Sequence, residues 1–126
     1  MEEDFREQQI EALEVLSEYN EKLVNGLHML IMELKGKRKE DTDKFQKSII
    51  DGINWEIEIL NRTLTLINDK EELICKEDVN KQILELGEAL KGKEDKVIAS
   101  VLEQNIIPQF NQIGEVVKTF LQNIKN

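Results

Sequence analysis

Residues 10–36 read IEALEVLSEYNEKLVNGLHMLIMELKG. In this run Ile10, Leu13, Leu16, Leu23, Val24, Leu27, Leu30, Ile31 and Leu34 recur mostly at helical spacing, so they share one broad face of an α-helix. Lys35 closes the run with a cation, and Gly36 stands where a left-handed cap belongs. Upstream, residues 1–22 carry eight carboxylates against Arg6 and Lys22. Anions early and a cation late suit the helix dipole, so a helix is expected from about Glu3 to Lys35.

The same reasoning extends along the chain. A polar link follows through Lys37, Arg38, Lys39 and Glu40, and Asp41 or Thr42 can cap a second helix running to about Asn68. Its inward stripe is Phe45, Ile49, Ile53, Ile57, Leu60, Leu64 and Ile67, with Ile50, Trp55, Ile59 and Leu66 beside or behind it. A third helix, from about Glu77 to Lys91, uses Val79, Ile83, Leu86 and Leu90, and Gly92 is expected to end it. The stretch Asp69–Lys76 reads equally as a loop or as an extra turn. A fourth helix opens at Glu94 and Asp95 and runs to about Asn123 through Ile98, Val101, Leu102, Ile106, Phe110, Ile113, Val117, Phe120 and Ile124. The repeat of Leu34-Lys35-Gly36-Lys37 as Leu90-Lys91-Gly92-Lys93 reads as two uses of one stop signal, with duplication of a helical hairpin as the alternative.

Short links make successive helices antiparallel, so the expected fold is all-α: an antiparallel up-down four-helix bundle, one domain over residues 1–126. Three helices are long and one is short. A helix of ~30 residues is ~45 Å long and one of ~15 residues only ~23 Å, which leaves part of the apolar face uncovered unless Asp69–Lys76 or a second subunit closes it.

Composition narrows the function. The chain has 126 residues, 34% charged, with one proline, one cysteine, one histidine and a formal net charge of −9. A lone Cys75 supplies neither an internal disulfide nor a thiolate metal set. The acidic balance disfavours nucleic acid and anionic membrane surfaces, and the basic cluster Lys35, Lys37, Arg38 and Lys39 is offset by Glu40, Asp41 and Asp43. Met1 is followed by Glu2-Glu3-Asp4, unlike an export signal, and no uncharged run approaches the ~20 residues of a membrane span. A cytoplasmic location is expected.

No constellation for chemistry emerges. A carboxylate-bridged dimetal bundle needs two Glu-x-x-His pairs, whereas the one histidine, His28, has Asn25 three positions before it. His28 and Cys75 are read as packing or boundary residues, and the six glycines form no phosphate loop. Gly26, Gly52, Gly87 and Gly114 fall inside helices, where close approach of a neighbouring helix is the expected reason for each. No catalytic, cofactor or metal residue is therefore assigned.

Two places deviate from a generic bundle. Ser17 and Asn20 interrupt the inward seam of the first helix and read as a polar layer that fixes register, in preference to a ligand site. The second is Gln104-Asn105-Ile106-Ile107-Pro108-Gln109-Phe110-Asn111-Gln112. Pro108 has no N–H and its ring crowds the Gln104 carbonyl, so the fourth helix is expected to kink there. Amide side chains bond in both directions without the desolvation cost of a charge. Gln104, Asn105, Ile106, Pro108, Gln109, Phe110 and Gln112 are accordingly the candidate interaction residues, although an ordinary kinked core helix is the preferred reading of the stretch.

Ile50-Asp51-Gly52-Ile53-Asn54-Trp55 and the segment from Ile98 to Pro108 resemble two segments of a family of small, uncharacterised all-helical proteins from Gram-positive bacteria. The resemblance spans about Leu13 to Phe120. Family members tend to carry an aspartate at the position of Ser100 and a tyrosine-glutamate pair at Gln104-Asn105, so this chain has fewer acids there. The resemblance implies a helical fold and, the family having no assigned activity, supplies no function. The function expected is a non-catalytic helical interaction module, adaptor- or chaperone-like, binding an unidentified protein. The alternative is a self-associating homodimer, and the reading least favoured is a metalloenzyme using carboxylates such as Glu56 and Glu103.

Overall fold

The computed structural model describes residues 2–125, with side chains described for 4–124. Met1 and the side chains of Glu2 and Glu3, which the dipole argument invoked, lie outside the described residues. Among the described residues there are four helices and no strand: α1 (Glu2–Leu34), α2 (Thr42–Ile67), α3 (Lys76–Gly92) and a fourth made of α4 (Asp95–Val101), a π turn (Leu102–Ile106) and α5 (Ile107–Lys125).

The predicted stripe of α1 is its buried one. Leu13, Leu16, Leu27 and Leu30 are fully enclosed, and each such side chain contributes about 1.5–3 kcal/mol through burial. Two helices press on this stripe in opposite direction to α1. Gln9 Nε2 donates to the Arg62 carbonyl at 3.0 Å near one end of the α1–α2 pair, and Thr42 Oγ1 donates to Glu33 at 2.7 Å near the other. Asn20 meets the Phe110 carbonyl at 3.1 Å, and Lys35 pairs with Glu103 at 2.6 Å. Short α3 packs chiefly on α4 and the π turn.

Asp41 occupies the N-cap position of α2 without a side-chain cap bond. Thr42 acts instead as a tie, accepting from the Lys39 N–H at 2.8 Å while donating to the buried Glu33. The basic link is also engaged. Arg38 grips Asp95 through Nε at 2.6 Å and Nη2 at 3.1 Å and reaches Asp43 at 2.9 Å, which fastens the first link to the start of α4 and holds the Asp95 carboxyl below its ordinary range.

Asp69–Lys76 is a loop up to Cys75, with Lys76 opening α3. Asn68 organises it: its Oδ1 accepts from the N–H groups of Leu73 and Ile74, and its Nδ2 donates to the Ile74 carbonyl at 2.9 Å. These bonds fix the loop with the Ile74 side chain fully buried in the core.

The two stop signals differ. Gly36 takes φ +117°, as a glycine cap should. Gly92 remains helical, and the left-handed residue is Lys93 at φ 58°, a correction of one position. The interior glycines also divide. A Cβ on Gly26 would lie 2.7 Å from Ile49, one on Gly52 would collide with the Tyr19 hydroxyl, and one on Gly114 with the Asn20 amide, so close helix approach accounts for all three. A Cβ on Gly87 would meet nothing within 4 Å, so the same expectation is corrected there.

Candidate functional site

The Pro108 stretch lies where α4 gives way to α5. The Ile107 N–H bonds to the Leu102 carbonyl, five residues back, so a wide π turn immediately precedes the residue that has no N–H to give. The seven candidate residues do not share a face. Gln104, Pro108 and Gln112 are exposed and Asn105 is half-buried. Ile106 and Phe110 are 0% exposed, and Gln109 only 8%. Ile106, Gln109 and Phe110 are therefore buried in the monomer, in keeping with the reading of a core helix, and leave Gln104, Pro108 and Gln112 as the exposed members of the set.

The amides bond largely within the chain. Asn105 Nδ2 donates to Gln82 Oε1 at 2.8 Å and to the Glu85 carboxylate, tying the π turn to α3. Gln109 Nε2 donates to Gln112 Oε1 at 2.9 Å. Asn20 Nδ2 donates to the Phe110 carbonyl, and Gly114 leaves the room it needs.

What remains open lies on the other side of that tie. A groove of about 730 Å³ runs between α3 and α4, lined by Lys81, Leu84, Glu85, Ala89, Val97 and Val101 among others. Leu84 is 71% exposed and Val97 45%. Sequence reasoning passed over both because it tracked the inward stripes Val79-Ile83-Leu86-Leu90 and Ile98-Val101-Leu102. The usable signal was the reverse one: Leu84 is apolar and out of register with the α3 stripe, and Val97 stands one turn before Val101 at the edge of the α4 stripe.

Ser17 and Asn20 line a second, polar cavity of about 380 Å³ between α1 and α5, with Asn25, Asn111 and Lys118. Asn20 is buried and its Oδ1 has no partner among the described residues.

Glu56 is the most unusual titratable group. It is 1% exposed, neither carboxyl oxygen has a hydrogen-bond partner among the described residues, and burial pushes its pKa up to about 8. It is therefore mostly neutral at pH 7. Burial, then the nearby Glu56, raises the Tyr19 phenol, whose ring meets Trp55 edge-on at 5.2 Å. Glu103 is exposed and paired with Lys35, so the two carboxylates named for metal chemistry occupy opposite environments. His28 is exposed, and Cys75 is a half-buried free thiol at the N-cap of α3. Among the described residues no group of three or more His, Cys, Asp or Glu side chains is placed to hold a metal ion, and no helix is long and apolar enough to cross a membrane.

Four helices with an open apolar groove on the short one define a small all-helical protein. The sequence pattern of a domain of unknown function, DUF8042, matches residues 11–116, and the chain belongs to that family. The match agrees with the expectation of an uncharacterised family. No curated protein and no solved structure matches the chain.

Proposed function

We propose that the chain is a non-catalytic protein-interaction module, adaptor- or chaperone-like, working in the cytoplasm of a Gram-positive bacterium. Its docking surface is the α3–α4 groove, not the Pro108 stretch. The observation that supports this reading is the exposure of Leu84 and Val97 on the walls of a single apolar groove, since contiguous exposed apolar surface is what partner helices cover. The net charge of −9 supports a protein partner over nucleic acid or a membrane surface.

The reading takes residues 1–126 as one domain and the helices as an up-down bundle bent at Pro108. Its support is the opposed run of α1 against α2 and against α5, and the π turn ahead of the proline. Chemistry that needs an ionised Glu56 fits poorly with a carboxyl kept neutral in the core.

The test is chemical crosslinking with mass spectrometry, comparing the parent chain with Leu84→Glu. Crosslinks on α3 that vanish in the variant support the reading. Crosslinks centred on residues 104–112 and unaffected by Leu84→Glu contradict it.

A further inference from the structure

The exposed stripe of α3 carries a charge pattern that specifies an occupant. Glu77, Lys81, Leu84, Glu88 and Lys91 follow one another at steps of four, three, four and three, the spacing of a coiled-coil seam, and all five are exposed. Outward from Leu84 the signs are complementary about the centre. Lys81 stands three residues before it and Glu88 four after, while Glu77 and Lys91 stand seven on either side. From these observations we infer that the groove is closed by a second copy of this chain, with α3 of each copy antiparallel to the other about a two-fold axis at Leu84. The inference rests on the reading of this groove as the docking surface.

In that register Lys81 of each copy lies beside Glu88 of the other, and Glu77 beside Lys91. Leu84 covers Leu84, and the two helix dipoles oppose one another. A generic basic helix fits less well, because it would set a cation against Lys81. The interfacial charges are available for exchange: Glu88 is held only by an exposed 3.4 Å pair with Lys91, and Lys81 has no ion pair among the described residues. Glu85, which lines the groove with them, is by contrast already engaged by Asn105. A stable interface covers about 800 Å² of each partner, so the proposed contact takes in the groove as far as Val97 on its opposite wall.

Sedimentation equilibrium of the full chain over a concentration series, at physiological ionic strength, tests the inference. A concentration-dependent dimer is expected. Leu84→Glu should leave a folded monomer, because the residue is 71% exposed; its circular dichroism should match the parent, as should its Tm at concentrations where the parent is monomeric. Lys81→Glu and Glu88→Lys should each weaken the dimer about tenfold, since two symmetric ion pairs are lost and two repulsions made. The double variant should return to within about threefold of the parent, because the pairs re-form with signs exchanged. A chain monomeric at every concentration overturns self-pairing. If lysate crosslinking then still captures a protein in a Leu84-dependent way, the docking surface stands and only its occupant changes; without such capture both readings fall. A dimer that survives Leu84→Glu and both charge reversals places the interface elsewhere and also overturns the inference.

Discussion

The Pro108 stretch and the outer face of α3 are both apolar-containing segments near polar amides, yet the fold treats them oppositely. In residues 104–112 the large apolar side chains Ile106, Ile107 and Phe110 are buried, and Asn105 and Gln109 are bonded within the chain. On α3 the inward stripe is filled by Val79 and Leu86, and Leu84 is left in water on the far side. An uncharged run is thus no guide to a surface. What marks the surface is an apolar residue out of register with its own helix's buried stripe.

The largest effect that tests this contrast is Ile106→Asp. A charge without a partner in a fully buried position should abolish the cooperative melting transition, and a variant that melted normally would return the stretch to the surface. Phe110→Ala, which only opens a cavity, should cost about 3–5 kcal/mol in urea denaturation.

Glu56 comes next. The unfolded chain releases this proton near 4.5, whereas the fold holds it to about 8. Across that window the native state binds the extra proton, so stability is fullest below the unfolded value and falls as pH rises, flattening above about 8. The whole fall is on the order of 5 kcal/mol at most. Urea midpoints measured from pH 5 to 9 should show this decline, and Glu56→Gln should remove most of it. An unchanged slope in the variant would mean that Glu56 is ionised in the fold.

Glycine substitutions sharpen the comparison on a smaller scale. Gly114→Ala drives a methyl into Asn20 and breaks its bond to the Phe110 carbonyl, which should cost about 1–3 kcal/mol. Gly87→Ala on α3 meets open space and should stabilise by up to about 1 kcal/mol through helix propensity. Thermal melts decide both, and equal effects would erase the distinction between a crowded and an open helix face. Smallest of all is the stability change of Leu84→Glu, within about 0.5 kcal/mol, although its effect on association is large.

Much of the helical architecture was legible in the sequence because burial recurs at 3.6-residue spacing and polar or glycine punctuation separates the runs. The ends of α1, α2 and α3 fall within a residue or so of expectation. Lys93 was not legible as a cap, since the left-handed region ordinarily takes glycine or asparagine and Gly92 stood beside it. Nor was the π turn, because Pro108 announces a missing donor but not how the preceding carbonyls rearrange. The candidate site was legible only in part. Exposure of Leu84 followed from its register, whereas the bond from Asn105 to α3 depends on which helix lies opposite, and spacing within one helix carries no such information.

The central claim is that α3, not residues 104–112, is the face that meets a partner. Backbone hydrogen exchange of the full chain, followed at low and high protein concentration, tests it most directly. Slower exchange at high concentration should be confined to α3 and the start of α4 around Val97, with residues 104–112 unchanged. Protection appearing instead across residues 104–112, with α3 unaffected, would contradict the account.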